Sequence, residues 1–289
     1  LYVIGENPAQ SEADAVHAVE ALRSLDFLVV QDIFMTATAE LADVVFPAAA
    51  DWVEGEGTVT SSERRVQRVR PALRPPGEAR TDIAIISGLA RAMGVDWGDP
   101  TAEEIWDELR SLSPAHAGMS YRRLEELGGI QWPCPDENHP GTKFLHARLW
   151  EEEVKDPAPF IPVDWVPPVD TLTDEYPIRL TTGRHLDGYN TGVQSSGFDS
   201  PLRTGTTLDI SPEDAERLGI VDGEVVRVVS RRASVTAPVR IDPEMRPGLT
   251  FMAIHYPEQV DVNKLTIEAW DPKSGTAEFK ATAIRIEKL

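Results

Sequence analysis

The chain has 289 residues, of which 41% are hydrophobic and 26% are charged, and these proportions are ordinary for a globular protein of about two domains. Its formal net charge of −20 would repel a phosphate backbone or an anionic lipid surface, which excludes a general binder of nucleic acids or of such membranes. Every apolar run is shorter than the roughly 18 residues of a membrane span, and the single cysteine, Cys134, excludes an internal disulfide and a cysteine-built metal or iron–sulfur site within the chain.

Residues 1–98 alternate predicted strands with predicted helices. Such alternation produces a parallel sheet whose faces are covered by helices, so we predict an α/β fold. Ligands of these sheets bind beyond the carboxyl ends of the strands, and we therefore look for a site in the loops that follow them. The predicted strands are 1–5, buried on both faces, 26–32 and 44–46, and the predicted helices begin at Ser11, Thr81 and Thr101.

The rest of the chain does not continue the alternation of strands and helices, and from residue 178 the apolar residues recur with a period of two. Residues 54–67 carry no separable signal and are interpreted as a loop, and residues 113–150 are less regular. Six prolines between residues 155 and 177 predict a stiff, extended connector. Beyond it, short strands over 178–180, 225–229, 233–241, 249–255 and 279–286, with one short helix from Ser211 to Gly219, indicate a small β-barrel.

Several segments resemble the molybdopterin oxidoreductases, in the order in which that family has them. They are GENP at 5–8, VQDIFMTATA at 30–39, ADVVFPA at 42–48, EGTVT at 56–60, RRVQR at 64–68 and PPGEAR at 75–80. GIQWPC at 129–134, TTGR at 181–184 and DPKSGTAEFK at 271–280 narrow the resemblance to the formate dehydrogenase catalytic subunit. The resemblance runs from residue 1 to the last predicted strand.

The resemblance implies a large subunit that holds molybdenum or tungsten between two pterin guanine dinucleotides and oxidises formate to CO₂. In the family, an N-terminal region outside this chain binds a [4Fe–4S] cluster and supplies the metal ligand and the catalytic residues. This chain would then be the C-terminal portion, with no catalytic or metal-ligating residue of its own. Its partners would be the missing N-terminal half of the same subunit and electron-transfer subunits, and with one cysteine a cytoplasmic location is expected.

The same resemblance implies three domain segments. Residues 1–150 would be the C-terminal half of a Rossmann-like, pterin dinucleotide-binding domain, and 151–175 the Pro-rich linker. Residues 176–289 would form a six-stranded, double-psi-type β-barrel that also binds the dinucleotide. We expect the loops after Ile4, Val30 and Thr182 to face one crevice.

In the first domain the resemblance implies five cofactor-binding residues: Asn7, Ser11, Gln31, Asp32 and Asp82. A diphosphate or ribose near Ser11 would meet free N–H groups at a helix N-terminus, and a carboxylate at Asp32 or Asp82 could accept hydrogen bonds from a ribose or a guanine edge. Each also has a structural alternative. Asn7 could only form the turn, Ser11 could only cap its helix, and aspartate is favoured in a first helical turn such as that of Asp82.

In the second domain the resemblance implies contacts with the pterin. The residues are Arg184, His185, Asn190, Asn263, Phe279 and Lys280. Without the resemblance, His185 and Lys280 would each be interpreted as an ordinary solvated side chain rather than as a cofactor contact. The chain also departs from the family pattern, with Ala48 where serine is frequent, Gly188 where histidine is common and Phe279 where tyrosine is usual.

Two alternatives to formate dehydrogenase stay open. A nitrate reductase or the large iron–sulfur subunit of respiratory complex I shares the same scaffold. A cofactor-free scaffold for electron-transfer assembly is also conceivable, because of the departures at Ala48, Gly188 and Phe279. Cys134 invites a catalytic interpretation, but its Trp-Pro-Cys-Pro context predicts a turn.

Overall fold

The structure, a computed structural model, describes residues 1–147, 159–191 and 205–289. These residues form two compact units. The barrel unit comprises Leu1–Val30, Phe34–Val44 and Asp164–Leu289, and the middle unit comprises Gln31–Ile33 and Val45–Val163. Residues 151–158 of the predicted linker lie outside the described residues. Within the described ranges, no helix is both long and apolar enough to cross a membrane.

The first three strands form the predicted parallel sheet, in the order β1 (Tyr2–Ile4), β2 (Val29–Asp32) and β3 (Val44–Pro47). The expectation that the first strand is buried on both faces is wrong. Of its three residues only Val3 is buried, and Ile4 is 41% exposed, because β1 is an edge strand of a three-stranded sheet. The second strand begins at Val29 rather than at Asp26, since Leu28 N–H donates to the Asp43 side chain at 2.7 Å.

Two helices follow β1, and the longer one does not begin at Ser11 as predicted. Helix α1 spans Pro8–Ser11 and helix α2 spans Ala15–Arg23. Asp14 separates them with a left-handed backbone (φ 49°), and its carboxylate caps α2 by accepting the N–H of His17 at 3.3 Å. The capping residue is therefore Asp14.

The middle unit contains four helices and an antiparallel sheet among its described residues. Helix α4 begins after Thr81 and helix α5 after Thr101, as predicted, and Thr101 and Glu104 form a capping box. The interpretation of 54–67 as a loop is wrong, because this stretch enters two strands of the sheet. The elements are α3 (Asp51–Glu54), β4 (Gly57–Thr60), β5 (Arg65–Val69), α4 (Asp82–Ala92), α5 (Ala102–Leu112), α6 (Tyr121–Glu126) and β6 (Ile130–Gln131).

A small apolar core supports that sheet. Cys134 is fully buried within it, and its Sγ lies 3.4 Å from the carbonyl oxygen of His139. The core also contains Val66, Trp106, Met119, Tyr121, Leu124 and Ile130.

The barrel is closed and has six strands, which confirms the predicted architecture. Its strands are β7 (Ile178–Gly183), β8 (Leu208–Ile210), β9 (Val225–Val229), β10 (Ser234–Ile241), β11 (Leu249–Ala253) and β12 (Thr282–Lys288), in the order β10-β8-β11-β7-β12-β9. Helix α7 (Pro212–Leu218) lies between β8 and β9, capped by Ser211 and ended by Gly219, whose φ of 64° suits glycine. Leucine, isoleucine and valine side chains fill the interior.

Strand direction determines which loops meet. Strand β11 runs parallel to β7, with Ala253 opposite Gly183, so the segments that follow both strands leave the same edge of the barrel. The last strand begins at Thr282, not at Phe279 as predicted, because Phe279 N–H turns back to the carbonyl of Ala277 at 3.0 Å. Phe279 and Lys280 therefore lie in the turn before β12.

Candidate cofactor-binding site

In the middle unit, the structure brings Gln31 and Asp82 together. The Gln31 side chain is fully buried at the end of β2, and its Nε2 donates to Asp82 Oδ1 at 2.5 Å. Asp82 is the first residue of α4, and its own N–H donates to Asp51 Oδ2 at 3.2 Å. Asp32 uses Oδ1 to accept the N–H of Ile33 at 2.7 Å. The end of β2 and the start of α4 thus present carboxylate and amide groups side by side.

Asp51 belongs to this cluster, although the sequence argument missed it. Burial raises the pKa of Asp51, its hydrogen bond from the Asp82 N–H opposes that rise, and the negative charges of Asp82 and Glu54 add to it. Its Oδ1 is buried and finds no hydrogen-bond partner within the described part of the chain. A Cβ at position 55 would lie 2.7 Å from that oxygen, so Gly55 leaves the room for it. Since Asp51 follows the end of β3, the strand-end argument could have found it.

In the barrel unit, the side chain of Asn7 forms hydrogen bonds with other residues of the fold. Asn7 Oδ1 accepts from the N–H of Thr38 at 3.1 Å and from its hydroxyl at 2.8 Å, and Asn7 Nδ2 donates to Gln10 Oε1 at 2.6 Å. Ser11 is the last residue of the four-residue helix α1. No helix N-terminus with free N–H groups for a diphosphate therefore lies at Ser11, because α2 begins at Ala15. A cofactor contact of either residue stays a prediction.

Asn263 offers an acceptor that the fold leaves unused. It lies in a short 3₁₀ turn, Val262–Lys264, and is only 4% exposed. Its Nδ2 donates to the carbonyl of Gln10 at 2.8 Å, whereas its buried Oδ1 has no partner among residues 1–147, 159–191 and 205–289. A buried oxygen without a donor is costly, which favours a ligand or water at this point.

Two cations lie at the edge where β7 ends. Lys280 Nζ donates to the carbonyl of Thr182 at 2.6 Å, and Arg184 is exposed two residues further along. Burial lowers the pKa of Lys280 from its usual value, and the nearby charge of Arg184 lowers it further. We call Arg184 and Lys280 the cation pair. An anion bound here would relieve the repulsion between them.

The loop after Arg184 carries the remaining predicted contacts. His185 lies against Phe251, with ring centroids 5.3 Å apart, and its backbone N–H donates to Nε2 of His255 at 2.8 Å. Asn190 offers its carbonyl to Nδ1 of His255 at 2.7 Å. Sequence reasoning missed His255, although it follows the carboxyl end of β11, the parallel partner of β7. Phe279 lies in the turn before β12, where its carbonyl accepts the Thr182 hydroxyl at 2.8 Å.

The chain combines a parallel sheet with a closed β-barrel, and comparisons with known proteins place it in a class of dinucleotide-binding proteins. The family model for molybdopterin oxidoreductase matches residues 1–92, and that for the molydopterin dinucleotide binding domain matches residues 178–283. The chain belongs to the molybdopterin oxidoreductase family.

Its relatives include several enzymes. It is 44% identical to the F420-dependent formate dehydrogenase 2 subunit alpha of Methanococcus maripaludis, over all of this chain and 43% of that protein. Identity to formate dehydrogenase H of Escherichia coli is 36%, over all of this chain and 41% of that protein. The chain spans less than half the length of these curated relatives. Acetylene hydratase from Pelobacter acetylenicus has the same fold, with a TM-score of 0.72 and 19% identity, over all of this chain and 44% of that one.

Proposed function

We propose that this chain is the C-terminal, cofactor-binding part of a molybdenum or tungsten bis(pterin guanine dinucleotide) enzyme, a formate dehydrogenase. The observation that carries the proposal is the cation pair, Arg184 and Lys280. In a chain with a net charge of −20, two adjacent cations at a strand end, one with a lowered pKa, favour an anionic ligand. The formate dehydrogenases among the relatives supply the substrate class.

The residues present fit such a ligand. Asp82 and Asp32 offer carboxylate acceptors for guanine or ribose donors, with Gln31 holding Asp82 in place. Asn263 supplies a buried acceptor oxygen, and the cation pair supplies donors for phosphate or pterin oxygens. Asn7, Ser11, His185, Asn190 and Phe279 complete the proposed contacts.

When bound, the metal–pterin group supplies the two-electron redox chemistry, by which formate yields CO₂, one proton and two electrons. The part of this chain is to bind and orient the dinucleotides and to keep water from them. The metal ligand and the [4Fe–4S] cluster belong to the proposed N-terminal region of the same subunit. Electron-transfer subunits and a cytoplasmic location are further parts of the proposal.

The two family matches also support the proposed division of the chain into domain segments, because one lies within the Rossmann-like segment, 1–150, and the other within the barrel segment, 176–289. The linker, 151–175, would join these segments. On this proposal the loops after Ile4 and Thr182, both within the barrel unit, contact the cofactor.

The test is to purify the full-length protein and to measure molybdenum, tungsten, guanine nucleotide and formate oxidation. We expect one metal and two guanine nucleotides per chain, in the ratio that a bis(pterin) group requires. Lys280→Met should lower the nucleotide content at least severalfold, and Lys280→Arg, which keeps the charge, should retain most of it. A wild-type protein that lacks both metal and pterin would contradict the proposal and favour the cofactor-free scaffold.

Nitrate reduction is the second candidate. The chain is 38% identical to the assimilatory nitrate reductase catalytic subunit of Bacillus subtilis, over 99% of this chain and 41% of that protein, whereas its identity to the Escherichia coli formate dehydrogenase is 36%. The purified protein should therefore be assayed with formate and a dye acceptor, and with nitrate and a reduced dye. Turnover of nitrate but not formate would replace the first candidate with the second.

A further inference from the structure

A buried histidine joins the two ends of the loop that carries His185 and Asn190. His255 is only 2% exposed and follows the end of β11. Its Nε2 lies 2.8 Å from the backbone nitrogen of His185, and its Nδ1 lies 2.7 Å from the carbonyl oxygen of Asn190. Both partners are main-chain atoms, so the ring fixes the course of the backbone over residues 185–190.

The two partners determine where the imidazole carries its hydrogen. A backbone N–H can only donate, so Nε2 of His255 must offer its lone pair to His185. A carbonyl oxygen can only accept, so Nδ1 must carry the hydrogen that is donated to Asn190. His255 therefore serves this loop as the neutral imidazole protonated at Nδ1, because a proton on Nε2 would place two donors against each other.

The 185–190 loop leaves room for the imidazole ring of His255. A Cβ at position 188 would lie 2.7 Å from Cδ2 and Nε2 of His255, closer than real Cβ contacts come, so glycine is required at 188. Asn190 adopts a left-handed backbone with φ 48°, which asparagine tolerates better than most residues. The absence of a side chain at 188 thus leaves room for the ring, and Asn190, with its left-handed backbone, has its carbonyl oxygen within 2.7 Å of Nδ1.

We propose that His255 is a positioning residue that, as a neutral imidazole, holds the 185–190 loop closed and so presents Arg184 and His185 to the pterin. The choice of ligand rests on the proposed function, whereas the closure of the loop rests on the contacts of His255 alone. We call this arrangement the histidine clasp (His255, Gly188 and the two backbone partners). It also gives a physical reason for Gly188, where the family resemblance led us to expect histidine.

The test compares variants of the full-length protein by amide hydrogen exchange over residues 185–190 and by guanine nucleotide content. His255→Phe keeps a ring but loses both hydrogen bonds, so the His185 amide should exchange on the order of tenfold faster or more. His255→Gln offers an amide oxygen to His185 and an amide nitrogen to Asn190, so it should restore slow exchange and nucleotide content. Gly188→Ala should open the loop by collision with the ring.

Matched controls are Gly88→Ala, where a Cβ meets nothing within 4 Å, and His17→Phe on the exposed face of α2. Both should leave exchange over 185–190 unchanged. Wild-type exchange in His255→Phe, or no rescue by His255→Gln, would overturn the clasp. Faster exchange with full nucleotide content would overturn the positioning role. A wild-type protein without pterin would contradict the proposed function and the positioning role, while the exchange data would still decide whether the clasp exists.

Discussion

At the scale of single residues, two ionisable groups of the candidate site, Asp51 and Lys280, have charged forms that their surroundings disfavour. Burial and neighbouring charges raise the pKa of Asp51 and lower the pKa of Lys280. Groups perturbed in this way are typical of functional sites, because a ligand supplies the missing partner. The charged forms of Asp51 and Lys280 are therefore expected to reduce the stability of the ligand-free chain.

Asp51→Asn should stabilise the ligand-free chain at neutral pH. Because the pKa of Asp51 is raised in the folded state, ionising it opposes folding. This penalty is absent below the unfolded value of 3.8, grows as the pH rises through it and is complete above the raised folded value. After screening of this partly exposed group, we expect a gain of at most about 1 kcal/mol at pH 7. The asparagine oxygen can still accept the N–H of Asp82.

Urea unfolding at pH 7 and at pH 3.5 would measure this gain. The stabilisation should be present at pH 7 and mostly lost at pH 3.5, where the carboxyl is largely protonated in both states. Asp26→Asn, at an exposed position, should change stability little at either pH. An equal gain at both pH values would mean that charge at Asp51 is not its cause.

At the scale of elements, a buried aspartate fastens the segment before β7 to the barrel. The Asp170 side chain is 2% exposed and accepts hydrogen bonds from Arg231, from Arg232 at 2.5 Å and from the backbone N–H of Ala283 at 3.0 Å. Arg231 and Arg232 lie in the turn between β9 and β10, and Ala283 lies in β12. One carboxylate thus joins three elements that are distant in sequence.

Asp170→Asn should loosen the barrel strongly. Removing one charge of a buried ion pair leaves the partner uncompensated, at a cost of roughly 3–5 kcal/mol, which partial exposure of Arg231 reduces toward the lower end here. Equilibrium unfolding would record the loss. Asp174→Asn, four residues further along at an exposed position, is the matched control. A loss below about 1 kcal/mol would show that the carboxylate is not essential to the barrel.

Sequence reasoning predicted elements whose signals are local. The caps at Thr81, Thr101 and Ser211, the parallel sheet and the closed barrel all follow from periodicity, cap chemistry and resemblance. The sheet of β4, β5 and β6 was missed because β4 alternates no apolar face and depends on its partners. The start of α2 was misplaced because the left-handed turn at Asp14 leaves no pattern in the sequence.

The candidate site shows the same limit. Gln31, at the end of β2, and Lys280, in the turn before β12, could be named from the family resemblance, and the structure shows what surrounds them. The positions of His255 and Asp51 after strand ends could have marked them as candidates, but their partners could not be assigned from the sequence, because these contacts join segments 31 to 70 residues apart. Such contacts depend on tertiary packing, which no local period encodes.

At the scale of the whole molecule, the large negative net charge affects the stability of the fold. The chain has 48 acidic and 28 basic residues, so its folded form repels itself. We expect the melting temperature to rise when NaCl increases from 10 to 150 mM, since the screening length falls from about 30 Å to about 8 Å. An uncharged osmolyte at the same osmolality is the control. A melting temperature independent of salt would mean that local ion pairs offset the net charge.

The barrel unit is discontinuous in sequence, because Leu1–Val30 and Phe34–Val44 join Asp164–Leu289. Two of its hydrogen bonds, Asn263 to Gln10 and Asp14 to Thr266, each connect residues more than 250 positions apart. During synthesis on the ribosome, residues 1–44 therefore emerge long before the strands that complete their unit. Until those strands appear, this early segment is without its native partners and is a natural client for a chaperone.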